Sequence, residues 1–434
     1  MGIIEELMCF LDSGLTCYHA VREVEKKLSE AGFTRLSEKQ TWELEGGHGY
    51  YVVRNDSSIA AFRVPKCNVN EIKGFHIFAA HSDSPAFKLK ERPEMAKEGM
   101  YVSLNTEKYG GMILSTWLDR PLTIAGRACV EENGRIVSYP VQLKDNTCLI
   151  PSLAIHLNRE MNNGIALNPQ TDMLPLLMMC FEPDPKEEVI KTMLVKALNS
   201  QYQKQFTEED ILASDLFAEN SQKATLAGAY DEFIMSARFD DLACVFAGAE
   251  GMRAQEPQQY INVLAVFDNE EVGSLTRQGA DSTFLRDTLE AIGDGLKADW
   301  GLYRIWKADS FLLSADNAHA CHPNQGAKSD PVNRPYLNAG IVLKYHGGQK
   351  YATDAYSAAV VKKLCKAQDI PYQIYTNRSD IAGGSTLGNL SMAQVSVPAA
   401  DIGLPQLAMH SSYETGGTKD VAYMIALAKA FYAA

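Results

Sequence analysis

The stretch His76-Ile-Phe-Ala-Ala-His-Ser-Asp-Ser-Pro85 decides how this chain is read. With Phe75 before it, the apolar run Ile77, Phe78, Ala79 and Ala80 has the composition of a short buried strand. That strand would deliver His81 and, two residues on, Asp83 onto a turn closed by Pro85. A histidine at a strand end, with a carboxylate near enough to orient its ring, is how a metal-ligating imidazole is usually built. A plain structural turn can show the same short pattern. What adds weight is recurrence, because an apolar strand followed by metal-type residues appears three more times downstream.

The second instance is Ile261-Asn-Val-Leu-Ala-Val-Phe-Asp-Asn-Glu-Glu-Val272. Residues 263–267 are β-branched and aromatic, as in a fully buried strand. Asp268, Asn269, Glu270 and Glu271 follow, with Gly273 allowing the chain to turn. Of two adjacent glutamates, one can bind a metal while its neighbour faces an activated water as general base. An acidic helix start favoured by the macrodipole is the plainer reading of the same residues. The third instance is Phe-Leu-Leu-Ser-Ala leading to Asp316-Asn317, with His319, Cys321 and His322 beyond. In the fourth, Pro-Gln-Leu-Ala-Met leads into His410. Between them, Asp240 and Asp241 precede an apolar helical run, and each fits a helix N-cap. A capping aspartate keeps a second oxygen for a metal.

Two histidines and three carboxylates from five distant segments suit a pair of borderline divalent ions, zinc above all. One His and one carboxylate on each ion, with a shared aspartate between them, is the expected division. Ligands placed after strand ends also follow the rule that open α/β sheets bind at the carboxyl ends of their strands.

The segments Ala80-His-Ser-Asp-Ser-Pro85, Arg238-Phe-Asp-Asp-Leu242, Asp268-Asn-Glu-Glu-Val-Gly-Ser274, Ser314-Ala-Asp-Asn-Ala-His-Ala-Cys-His-Pro-Asn324 and Gln406-Leu-Ala-Met-His-Ser411 resemble the aspartyl aminopeptidase family, metallopeptidase family eighteen, in its bacterial type. The resemblance runs over nearly the whole chain. It implies that His81 and Asp316 hold one zinc, Glu271 and His410 the other, and that Asp240 bridges. It makes Glu270 the general base and Asp83 the residue that orients His81. His156 matches a family histidine that reaches the substrate, and His319, Lys344 and Tyr351 match further substrate contacts. Ala237, where proline is frequent, and Asp241, where asparagine is frequent, are departures that remove no ligand.

Composition fits a cytoplasmic enzyme. The 434 residues exceed one ordinary domain, and 46% hydrophobic residues suffice for a large core. No apolar run is long enough for a membrane span, and the N-terminus lacks the pattern of a signal peptide. Nine scattered cysteines without a Cys-x-x-Cys pair argue for reduced thiols. A net charge of −13 with no basic stripe argues against nucleic acid as a partner. An acidic substrate would need a local cation working against that field, and Lys344, at the end of an apolar strand, is the candidate.

The expected organisation is α/β, a three-layer zinc-peptidase (phosphorylase/hydrolase-like) catalytic domain formed by residues 1–92 and 229–434. An inserted β-rich dimerisation domain spans residues 93–228, where Gly110-Gly111, Glu132-Asn-Gly134 and Tyr139-Pro140 suggest short antiparallel strands. Thr16 suits the N-cap of a helix over residues 16–32, and a charged helix is expected over residues 186–204. The expected function is a dinuclear zinc aminopeptidase that removes N-terminal residues, acidic ones by preference, from peptides. Mn2+ or Co2+ could stand in for zinc. The resemblance further implies dimers that build a dodecamer, with His156 projecting into a neighbour's site. Two alternatives stand beside this reading: an aminopeptidase preferring neutral residues such as leucine, and a noncatalytic assembly or cargo protein on the same fold.

Overall fold

A computed structural model describes residues 2–180 and 188–434. The chain forms two compact units. The first is Met1–Asp83, Ala224–Met409 and Glu414–Ala434, and the second is Ser84–Lys223 with His410–Tyr413. The composition of the sequence puts the borders after residues 92 and 228. The chain changes sheet earlier because the strand Ala86–Lys97 pairs from its first residue with Tyr109 in the second unit, and Thr225–Ala227 pairs with Phe233–Ser236 in the first.

The first unit is built on a nine-stranded sheet. Its central strands Tyr260–Phe267, Gly74–His81, Phe311–Ala315 and Ala399–Gly403 lie side by side and parallel. Alternation along them sends successive side chains to opposite faces. Phe78, Ala80, Leu264 and Val266 join one core with residues of the helices Ile3–Ser13, Cys17–Glu30, Phe239–Ala254, Ala355–Ala367 and Thr418–Ala433. Ile77, Ala79, Val263 and Ala265 join another with the helices Phe284–Gly295, Trp300–Ala308 and Leu387–Val395. The result is the three-layer arrangement of the zinc-peptidase fold. Among the described residues no helix is long and apolar enough to cross a membrane.

Local signals act as chemistry dictates. Thr16 stands at the N-cap of Cys17–Glu30, which buries Val21, Val24 and Leu28, and Gly32 follows with φ +81°. The helix Phe239–Ala254 crosses the sheet closely at Gly248, where a Cβ would come within 2.7 Å of Phe78 and 2.8 Å of Leu264. That close approach sets where Asp240 lies.

The second unit is a six-stranded antiparallel sheet with the helix Val189–Tyr202. Asn133 and Gly134, with φ of 53° and 71°, make a two-residue hairpin between Leu122–Glu132 and Arg135–Gln142. The beginning of the expected charged helix, at Lys186, lies outside the described residues.

Candidate metal centre

Three adjacent parallel strands bring their carboxyl ends level. Phe267 pairs with His81 and Ser314 with Ala79, so Asp268 and Asp316 emerge beside His81. The Nε2 of His81 lies 3.8 Å from an Asp240 oxygen and 3.9 Å from an Asp316 oxygen. The ligand atoms of these three residues lie within 4.8 Å of one another, and all three residues are largely buried. His81 Nδ1 is 3.0 Å from the carbonyl oxygen of Asp83. A carbonyl only accepts, so Nδ1 carries a proton, and Nε2 is the ring atom that faces the two aspartates.

The Asp83 carboxylate does more than flank His81, from which it lies 3.4 Å. It also accepts the backbone N–H groups of Glu270 at 3.1 Å and Glu271 at 3.2 Å. One side chain therefore ties the histidine turn to the two glutamates, which form a short helical turn bounded by Asn269 (φ 62°) and Gly273 (φ 99°). Burial works against a charged His81, yet Asp83, Asp241 and Glu270 hold its pKa well above the usual value. Burial also pushes the Glu270 carboxyl well up, opposed by His81 and reinforced by Asp316 and Glu271. Asp268 is pushed up to about 7 by burial and the charge of Asp83. So many carboxyl groups drawn into a dry site around one imidazole call for a compensating cation. One nitrogen and two carboxylate oxygens at this spacing match the donor preferences of zinc.

Asp240 and Asp241 are joined by a cis peptide bond. Their backbone angles are not helical, as expected of residues at the entry of a helix, so the regular turns begin after Asp241. The Asp240 N–H donates to Glu414 Oε2 at 2.9 Å, and Asp241 accepts the N–H of His81 at 3.3 Å.

Lys344 is 2% exposed. Its ammonium donates to the carbonyl oxygens of Asp316 at 2.7 Å and Asn317 at 3.1 Å, and lies 3.3 Å from the Asp316 carboxylate. Burial opposes the charge, but Asp316 keeps the pKa above its ordinary value. Two of its three N–H groups are thus bonded to carbonyl oxygens, and its charge faces the Asp316 carboxylate. Tyr351 lies under the ammonium, 5.2 Å to the ring centre, and Tyr375 stands 6.3 Å from Tyr351 and 6.1 Å from His319.

In the second unit, His410 has φ 64°, and its Nδ1 is 2.6 Å from the Gly111 carbonyl oxygen. The proton is again on Nδ1. His156 is exposed, on an irregular segment where Leu153, Ile155 and Leu157 are also exposed, at 59%, 48% and 75%. It is not the plain core histidine that an apolar surrounding suggests.

A family model described as aminopeptidase I zinc metalloprotease (M18) matches residues 10–432. The chain belongs to the M18 family. It is 42% identical over 431 residues to a Clostridium novyi protein called "Probable M18 family aminopeptidase 2", covering 98% of each. Among solved structures, the Ape4 chain of an Ape4 and Nbr1 complex superposes with a TM-score of 0.94 at 34% identity, over 99% of this chain and 85% of that one. The S. cerevisiae mApe1 dodecamer gives 0.84 at 26% identity, over 99% and 95%. The chain is accordingly an M18 aminopeptidase, a hydrolase of peptide bonds in a zinc metalloprotease family.

Around this M18 site the fold places residues that the sequence did not single out. Asn317 donates to the Phe239 carbonyl at 3.0 Å and to Gln406 at 2.8 Å, and Gln406 donates to Glu414 at 3.2 Å. With the Glu414 hydrogen bond to Asp240, these bonds join the neighbourhood of Asp316 to that of Asp240. Asn317 follows a proposed ligand directly, which is the one signal that could have pointed to it. Gln406 and Glu414 carry none, because they sit on short strands paired with the distant residues His319 and Ser236.

Proposed function

We propose that this M18 aminopeptidase uses two zinc ions to remove N-terminal residues from peptides, with preference for aspartate and glutamate. The observation that carries the reading is the buried group His81, Asp240 and Asp316, with Glu270 held alongside through Asp83. His81 and Asp316 take one ion, Glu271 and His410 the other as the family resemblance implies, and Asp240 bridges. Zinc when bound supplies a Lewis acid that polarises the scissile carbonyl and lowers the pKa of water, and Mn2+ or Co2+ could replace it. Glu270 accepts a proton from the attacking water and returns it to the leaving amine. Its main chain is fixed by Asp83, which holds the turn that carries it beside His81. Lys344 holds Asp316 in place, while His319 and Tyr351 contact the peptide.

The proposed assembly is a homododecamer of dimers that meet through the second unit. The exposed apolar side chains around His156 support it, and so does the likeness to the mApe1 dodecamer. His156 then reaches a neighbouring subunit's substrate. A cytoplasmic setting belongs to the same proposal, supported by nine free cysteines and no disulfide among the described residues.

The deciding experiment is a panel of Asp, Glu, Ala and Leu arylamides assayed with zinc, manganese and cobalt. Fastest hydrolysis of the Asp and Glu compounds is expected. Fastest hydrolysis of the Leu compound would make the enzyme a neutral aminopeptidase. No turnover with any metal would make it a scaffold.

A further inference from the structure

The peptide unit that leads into Asp240 is held at both of its polar atoms by buried side chains. The Phe239 carbonyl oxygen accepts from Asn317 Nδ2 at 3.0 Å, and the Asp240 N–H donates to Glu414 Oε2 at 2.9 Å. The two holders are themselves joined, because Gln406 accepts from Asn317 at 2.8 Å and donates to Glu414 Oε1 at 3.2 Å. Three side chains and one main-chain peptide thus close a ring of four hydrogen bonds.

The ring closes because a five-stranded sheet of the first unit sets its members out in order. Phe233–Ser236, which leads toward Asp240, pairs with Glu414–Gly417. That strand pairs with Pro405–Leu407, which carries Gln406, and Pro405–Leu407 pairs in turn with Ala318–His319, next to Asn317. Gly416 lets the Phe239 ring lie against this sheet, since a Cβ there would come within 2.2 Å of the ring. Asp240, Asn317, Gln406 and Glu414 are each at most 3% exposed, so solvent does not readily replace a lost partner.

Donor and acceptor roles run in one sense around the ring. Two main-chain groups fix Asn317: its amide nitrogen faces the Phe239 carbonyl, and its oxygen accepts the Leu404 N–H at 3.3 Å. Gln406 must then turn its oxygen to Asn317 and its nitrogen to Glu414. Glu414 receives one donor on each oxygen, from Gln406 and from Asp240, and a carboxylate is the group that accepts on both. An amide in its place would meet one of those donors with a donor of its own.

The far side of the ring is anchored beside Asp316. Lys344 donates to the main-chain carbonyls of both Asp316 and Asn317, at 2.7 and 3.1 Å. We propose that Glu414 and Gln406 are positioning residues of the metal centre. With Asn317 they fix the main chain of Asp240 relative to that of Asp316, and through that spacing they decide whether both ions are held at once. The inference rests on the two-zinc reading above.

The test is an exchange of carboxylate and amide. Glu414→Gln sets a donor against a donor. In Glu414→Gln/Gln406→Glu the amide at position 414 accepts from Asp240 and donates to the carboxylate at position 406, which accepts from Asn317, so every donor has an acceptor again. Bound zinc is measured over a series of buffered free-zinc concentrations, at a temperature where circular dichroism shows each variant folded. In Glu414→Gln the weaker zinc site should lose about 10–100-fold in affinity, and the exchange should bring it back to within about threefold of wild type. Wild-type affinity for both zincs in folded Glu414→Gln overturns the proposal, and leaves the ring a purely structural device. So does an exchange variant that binds zinc as weakly as the single substitution. If Glu414→Gln alone does not fold, the exchange variant must fold and hold two zincs, and its failure to do so overturns the proposal as well. A wild type that saturates at one zinc refutes the two-ion reading itself, a result that appears before any substitution is made.

Discussion

Lys344 grips Asp316 at two points, donating to its carbonyl oxygen at 2.7 Å and facing its carboxylate at 3.3 Å. A buried cation thus neutralises a proposed metal ligand and at the same time fixes the main chain from which that ligand projects. Lys344→Met would leave Asp316 buried without its counter-charge, a change that costs about 3–5 kcal/mol. The variant should melt earlier, bind zinc more weakly, and lose activity in equal proportion on Asp and Leu arylamides. Selective loss on the Asp compound alone would show that Lys344 touches the substrate carboxylate.

Glu270→Gln keeps the shape and the Asp83 hydrogen bond to its backbone but cannot accept a proton. Turnover should fall by about 10²–10⁴-fold while two zincs per chain are retained, as measured by metal analysis. Asp240→Ala should lose metal instead, since one residue serves both ions. A zinc-replete Glu270→Gln protein with near-normal turnover would remove Glu270 from the base role.

Complementation tests the exposed placement of His156. His156→Ala and Glu270→Gln chains, each poorly active, should regain part of the activity when mixed, because a hybrid assembly contains a site with both residues intact. No recovery, once subunit exchange has been demonstrated by mass measurement, would show that His156 serves no neighbouring site.

Acid should weaken the fold at a place far from catalysis. His76 is buried, stacks on Tyr260 at 3.9 Å, and has its pKa lowered to about 4 by burial, with a hydrogen bond to the Phe431 backbone pulling the other way. A histidine depressed in the folded state binds its proton in the unfolded chain first. Its contribution is therefore complete above about pH 6.5 and is lost as pH falls from there toward about 4, on the order of 3 kcal/mol in all. The stability gap between wild type and His76→Gln, read from denaturant unfolding, should narrow across that window. A gap that stays constant from pH 7 to about pH 4.5 would mean that His76 takes up its proton equally in the folded and the unfolded states.

Much of the site was legible because strand-forming runs and ligand types alternate in the sequence itself. The run before His81, the run ending at Phe267 and the run before Asp316 are strands, and their pairing sets those residues side by side. What could not be read is whatever depends on which strand lies next to which. The engagement of Lys344 arises because its strand runs antiparallel to Ala399–Gly403 and so returns to the Asp316 loop. The double grip of Asp83 on Glu270 and Glu271 joins positions 187 and 188 residues apart. The bonds that fix the Asp240–Asp241 turn, from the Asp240 N–H to Glu414 and from the His81 N–H to Asp241, join positions 174 and 160 residues apart.

The ligand group draws on strand ends that the ribosome delivers at widely separated moments, and the last helix, Thr418–Ala433, packs into the same core as the helix that carries Asp240. A nascent or truncated chain holds the individual donors without their mutual spacing. Peptide-cleaving capacity therefore arrives only with the finished fold, and a half-synthesised copy is harmless to the unfolded polypeptides around it.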